Sequence, residues 1–192
     1  MKAQNKLVLV TGGARSGKSI YAEKLAKELS EKVVYLATAE AKDLEMVERI
    51  KDHQAARPAS WQTLEESREV AAALDRIPQG TEVVLLDCLT FWTTNLLMER
   101  LGEEEPGGEE VKRLERELLE EARILALKLE QKKQEFSIIV VSNELGMGLV
   151  PEYPLGRIFR DVVGKANQMV AAAADEVYFL VSGISQKIKG NT

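Results

Sequence analysis

Gly12, Gly17, Lys18 and Ser19 stand at the spacing G-x-x-x-x-G-K-[ST], and those residue types in that order suit the capture of a polyphosphate. Glycines at 12, 13 and 17 let the backbone curl so that successive N–H groups point inward, where side chains would block a phosphate. Lys18 then reaches the β and γ phosphates, and the Ser19 hydroxyl is an oxygen ligand suited to Mg²⁺. Asp87 closes the apolar run Val83 to Leu86, where P-loop enzymes keep an acid for the same metal. An aspartate there also suits the N-cap of a following helix, and one site can hold both roles. Asn143 and Glu144 follow the apolar run Phe136 to Val141, a position from which a polar side chain can touch a terminal phosphate; ordinary loop polarity explains them equally well. His53, the only histidine, precedes Arg57 by four residues, a spacing that predicts one shared helical face. By itself a lone histidine is as compatible with an inert surface position.

These residues need a scaffold, and the hydrophobic pattern supplies one. Leu7 to Val10 has the length and branching of a buried strand, and Ile20 to Leu29 has helical spacing, so the glycine-rich turn joins strand to helix. Further strands are predicted over 33–38, 61–64, 82–87, 136–141 and 176–181, with a short one over 186–189. Helices are predicted over 43–56, 66–77, 90–101, 109–131 and 155–174, and Pro78-Gln79-Gly80 reads as a turn. Met46, Val47 and Ile50 give the helix over 43–56 an apolar face, and Arg57-Pro58 ends it. The Glu/Gly/Pro cluster from Gly102 to Glu110 reads as a surface loop, and the charged residues of the long helix after it as a solvated face. Strand and helix alternate throughout, which predicts an α/β fold with a mostly parallel twisted sheet, helices on both faces, and ligands outside the carboxyl ends of the strands.

Length and composition narrow the class. The 192 residues suit a single domain over 1–192, with no linker or repeat. With 45% hydrophobic and 30% charged residues, the chain lacks any apolar run of the roughly 18 residues that a membrane span needs. Its first residues commit too soon to a strand to serve as a signal peptide. A single cysteine, Cys88, excludes an internal disulfide and suits a reducing cytoplasm. The net charge of −5 argues against nonspecific nucleic-acid binding.

Longer blocks sharpen the reading. Gly12 to Ser19, Arg49-Ile-x-x-His53-x-x-x-Arg57-Pro58 with Trp61, Leu85 to Thr90, Thr94 to Leu97, Ser142-Asn-Glu-Leu-Gly-Met-Gly-Leu-Val-Pro151, Phe159-Arg-Asp-x-x-Gly164-x-x-Asn167-Gln168, and Ala171 to Ile184 together resemble the adenosylcobinamide kinase/adenosylcobinamide-phosphate guanylyltransferase family of cobalamin biosynthesis. The resemblance runs from about residue 6 to 189, with the blocks in the family's order. Departures are Asp87 where some members carry Glu, the Gln54-Ala-Ala triplet, and Ser185 where Pro often follows. None removes a reactive group.

The resemblance implies a cytoplasmic enzyme of the P-loop NTPase, RecA-like fold, typically a homotrimer. It implies phosphorylation of adenosylcobinamide with ATP or GTP, then transfer of GMP from GTP to the new phosphate through a GMP-histidine that maps onto His53. Lys18 and His53 are the catalytic residues so implied, with Mg²⁺ on Ser19 and Asp87. Nucleotide contacts map onto Gly12, Gly13, Ala14, Arg15, Ser16, Gly17, Lys18 and Ser19, onto Ala37, Thr38 and Ala39, onto Gln54, Ala55, Ala56 and Arg57, and onto Glu65 and Asp87. A single-function P-loop kinase with an inert His53 explains the first 90 residues but not the blocks at 142–184. A noncatalytic nucleotide-binding switch is the other rival.

Overall fold

The computed structural model describes residues 4–41, 44–55, 57–101 and 107–190. Seven strands form one sheet in the order β3-β2-β4-β5-β1-β6-β7. They are β1 (Leu7–Gly12), β2 (Val33–Ala37), β3 (Gln62–Glu65), β4 (Val83–Asp87), β5 (Ser137–Asn143), β6 (Glu176–Val181) and β7 (Ile184–Lys189). The first six run parallel, and β7 pairs antiparallel with β6. Parallel strands are covered on both faces, which is why β1 is buried at every position and β5 at all but its last. The same parallel register sets the ends of β1, β4 and β5 side by side, with Gly12 opposite Asn143 and Asp87 opposite Val141.

Helices occupy both faces. They are α1 (Lys18–Leu29), α2 (Leu44–Ala55), α3 (Val70–Ala73), α4 (Leu89–Arg100), α5 (Gly108–Lys132) and α6 (Pro154–Ala173). One core layer joins Leu9, Leu36, Leu86 and Val140 of the strands to α3, α4, α5 and α6. The other joins Val10, Tyr35, Leu85 and Ile139 to Ala22 and Ala26 of α1. In α5, Leu114, Leu118, Leu125 and Leu129 lie inside and the charged face outside, where Arg113 and Arg123 pair with glutamates three or four residues away.

Several elements depart from the sequence expectation. Glu66 Oε1 accepts from the N–H groups of Arg68 and Glu69 at 3.1 and 3.0 Å, so this carboxylate-bound turn keeps residues 66–69 out of the helix predicted there. Only Val70–Ala73 and a 3₁₀ turn over Leu74–Arg76 are helical. The helix after the acidic cluster begins already at Gly108, and residues 102–106 of that cluster lie outside the described residues. Strand β5 continues through Asn143, so this residue ends the strand instead of following it. Among the described residues, α2 contributes nothing to either core layer; its Met46 and Ile50 face a cavity instead. No helix among the described residues is long and apolar enough to cross a membrane.

Candidate active site

The loop between β1 and α1 is shaped by two glycines. At Gly12, φ is +153°, and an added Cβ would collide with the Leu180 carbonyl oxygen of neighbouring β6. At Gly17, φ is +93°, a left-handed conformation that glycine adopts without steric cost as it caps α1. The turn between β6 and β7 supports the loop from outside, its Gly183 N–H donating to the Ser16 carbonyl at 2.9 Å. Among the described residues no side chain caps the N-terminus of α1, whose amides and dipole offer a favourable field for an anion. Lys18 is buried in the loop and donates from Nζ to the Gly13 carbonyl at 2.6 Å.

A cavity of about 420 Å³ opens beside this loop, on the α1 side of the carboxyl edge. It is lined by Ala14, Arg15, Ser16, Gly17, Lys18 and Ser19, by Ala37 and Ala39 after β2, by His53, Gln54 and Arg57, by Glu65 at the end of β3 and by Asp87 at the end of β4. Gly12 and Gly13 shape the turn without lining it. Thr38 is buried instead, its Oγ1 donating to the Cys88 carbonyl at 2.8 Å and accepting from the Cys88 N–H at 2.7 Å. It ties the end of β2 to the end of β4. Ala55 points to solvent, and Ala56 lies outside the described residues.

Sequence reasoning missed Tyr35, Met46, Ile50, Cys88 and Phe91, which also line the cavity. Their apolar character reads as core in a linear pattern. Of the pair Asn143 and Glu144, only Asn143 faces this cavity. The Glu144 backbone N–H donates to the Gly12 carbonyl at 2.9 Å, and its Oε1 accepts from the Gly146 N–H.

His53 and Arg57 do reach one site, but not along one helical face. Helix α2 ends at Ala55, because the residue before Pro58 is pushed out of the α region. Arg57 lies beyond that end, its N–H on the Gln54 carbonyl and its guanidinium 3.2 Å from the centroid of the Tyr35 ring. The Tyr35 hydroxyl in turn donates to Asp87 Oδ2 at 2.7 Å. Burial, with Asp87 beside it, holds the Tyr35 phenol far above its ordinary pKa, so it stays a donor. Burial and the Asp87 charge likewise push the Cys88 thiol up to about 12. Glu23 of α1 shares this electrostatic neighbourhood: burial raises its pKa, against the opposing pull of Arg57, His53 and Lys27.

A glycine loop ahead of a helix, with an acid-ended strand β4 set one strand away from β1 across β5, defines a P-loop nucleotide-binding enzyme fold of the RecA-like kind. Solved structures agree on the fold. A prototypical ATPase from the type III secretion system of pathogenic bacteria superposes with TM-score 0.54 at 14% identity, over 92% of this chain and 51% of that one. The ATPase EscN of enteropathogenic E. coli gives TM-score 0.51 at 14% identity, over 93% and 43%.

The sequence places the chain more finely. Residues 8–188 match the pattern of the cobinamide kinase / cobinamide phosphate guanyltransferase family, and the chain belongs to that family. It is 42% identical over 183 residues to the bifunctional adenosylcobalamin biosynthesis protein CobU of Escherichia coli K12, spanning 95% of this chain and 99% of the relative. The CobU of Salmonella typhimurium is 43% identical over the same shares. The CobP of Pseudomonas aeruginosa is 42% identical over 182 residues, 95% of this chain and 96% of the relative.

Proposed function

We propose that this enzyme phosphorylates adenosylcobinamide with ATP or GTP and then guanylylates the product, with His53 as the nucleophile of the second reaction. The observation that carries the reading is that His53 and the lysine-bearing phosphate loop face one cavity, so a single triphosphate can meet both. In the first reaction the aminopropanol hydroxyl attacks the γ-phosphorus, loses its proton, and the nucleoside diphosphate leaves. In the second, the lone pair of an imidazole nitrogen of His53 attacks the α-phosphorus of GTP and pyrophosphate departs. A phosphate oxygen of adenosylcobinamide phosphate then attacks the same phosphorus, the P–N bond breaks, and adenosylcobinamide-GDP forms. Two displacements through His53 let the anionic acceptor meet a guanylyl group from which the pyrophosphate charge has already departed.

The chain's own groups divide the work. Lys18 and the loop amides take the charge of the leaving pyrophosphate, and Arg57 takes charge at the α-phosphate. Gln54, Ala37, Ala39 and Glu65 surround the rest of the nucleotide. Ser19 and Asp87 both line the cavity and present hard oxygens, one Asp87 oxygen being oriented by Tyr35, a donor set that would hold Mg²⁺. Mg²⁺, when bound, neutralises charge on the triphosphate.

The protein works in the cytoplasm and as a homo-oligomer, a trimer by kinship; the exposed apolar residues Met147, Leu149, Val150 and Tyr153 offer a surface for self-association. The deciding experiment incubates the protein with adenosylcobinamide, GTP and Mg²⁺ and follows corrinoid products and pyrophosphate. Phosphorylated and guanylylated corrinoid with one pyrophosphate per guanylyl transfer supports the reading. Phosphorylation alone means a single-function kinase, and neither product means a nucleotide switch.

A further inference from the structure

A second cavity, of about 480 Å³, lies on the opposite face of the sheet, between β1, β6 and α6. Its walls absorb a block that the nucleotide cavity leaves without a role: Arg160, Asp161, Gly164, Asn167 and Gln168 line it from one face of α6. At its floor, beside the apolar Leu9 and Val177, stand two polar side chains more than nine-tenths buried, Thr11 at 7% and Asn167 at 8% exposure. Asn167 Nδ2 donates to the Asn143 carbonyl at 2.9 Å, which fixes the amide and leaves Oδ1 as an acceptor without a partner among the described residues. Thr11 Oγ1 has no partner among the described residues either. Buried polar groups are nearly always satisfied, so two at one cavity floor point to a ligand with hydrogen-bonding groups.

The charges around the cavity say which kind. Arg160 is paired with Asp161 at 2.9 Å, Lys165 with Glu115 at 2.6 Å, and Glu144 Oε1 is held by the Gly146 N–H. The two rim cations are thus each taken up by a carboxylate and Glu144 adds a further acid, which suits a neutral ligand over a phosphate. A primary carboxamide matches the floor: its NH₂ supplies the donor that Asn167 Oδ1 lacks, and the Thr11 hydroxyl serves either end. The apolar rim residue Ile188, 59% exposed, suits a hydrophobic body beyond the amide. We infer that this cavity anchors a primary-amide side chain of the cobinamide acceptor, an inference that rests on the proposed function. The cavity holds one such arm and leaves the macrocycle outside. Asn167 binds the backbone of Asn143, whose side chain faces the nucleotide cavity, so the two sites share a wall one residue thick.

The test titrates the full-length protein with adenosylcobinamide by absorbance and separately with GTP, in wild type, Thr11→Val and Gly164→Leu. Thr11→Val exchanges the hydroxyl for a methyl group of similar size, and a Cβ at Gly164 meets no atom of the described residues within 4 Å, so a leucine there can fill the cavity without a backbone clash. Each variant should weaken adenosylcobinamide binding by about tenfold or more, the scale of one lost hydrogen bond or of steric exclusion, with GTP affinity unchanged. GTP binding also certifies the fold, so either variant alone suffices should the other fail to fold. Wild-type affinity for adenosylcobinamide in a variant that still binds GTP would overturn the site, the floor then holding structural water only, while leaving the enzymatic reading intact. A wild-type protein that binds GTP but no adenosylcobinamide would overturn both.

Discussion

The Tyr35 hydroxyl donates to Asp87 Oδ2 at 2.7 Å while the Arg57 guanidinium lies 3.2 Å from the centroid of the same ring. One buried side chain therefore orients the acid assigned to the metal and the cation assigned to the α-phosphate. Tyr35→Phe keeps the ring beneath Arg57 and removes the hydroxyl, so it should raise the Mg²⁺ concentration for half-maximal activity by about tenfold, the scale of a hydrogen bond to a charged group. Asp87→Asn should raise it further, with a smaller effect on melting temperature. A Mg²⁺ titration of both variants checks this; unchanged metal dependence with a large loss of thermal stability would assign Asp87 to a purely structural role.

Lys18→Ala should abolish phosphorylation and reduce guanylyl transfer by at least about a hundredfold, because both reactions need the triphosphate held and its charge neutralised. Measuring both half-reactions decides the matter. A near-wild-type rate in either would mean that this step draws its nucleotide from elsewhere.

How much of this was legible in the linear chain depended on how local each signal is. The phosphate loop was readable because strand, glycines, lysine and helix are contiguous, and Asp87 because it ends an apolar run. Strand order was not, since β1 meets β5 and β6 across more than a hundred residues and no local pattern chooses the partner. Tyr35 read as one more strand aromatic. Its role exists only because parallel pairing sets Ala37 opposite Asp87 and brings Arg57 over the ring. The spacing of His53 and Arg57 was misread as helical because the proline effect falls on Arg57 itself. The motif Asn143-Glu144 also divides between two cavities, since consecutive residues at a strand end turn to opposite sides.

Cys88 lines the nucleotide cavity, yet burial and Asp87 push its thiol up to about 12. Thiolate is the reactive form, so the folded protein should resist iodoacetamide at about pH 8 while the urea-unfolded chain alkylates at the ordinary rate. Mass spectrometry of the two samples reads the outcome. Equal labelling of the folded protein would contradict the assigned environment.

Asp175 anchors the start of β1. Partial burial acts to raise its pKa, but the Leu7 N–H at 2.8 Å and Lys133 outweigh this and hold the carboxyl below its ordinary value. A depressed native pKa stabilises the fold above the unfolded pKa of about 3.9, and that contribution is lost as pH falls through the lower native value. The melting-temperature gap between wild type and Asp175→Asn should therefore narrow as pH falls from about 6 to about 3. A gap that widens with acid would reverse the sign of this linkage.

The central claim is that His53 carries GMP covalently. A phosphoramidate on imidazole is acid-labile and comparatively alkali-stable, unlike a phosphate ester on serine or threonine. Protein incubated with α-labelled GTP and Mg²⁺, then denatured, should retain label that survives base and leaves in acid. His53→Asn should lose that label and guanylyl transfer while keeping phosphorylation of adenosylcobinamide, because the kinase step is a direct displacement without a protein nucleophile. Label that persists in His53→Asn, or that resists acid, would contradict the account.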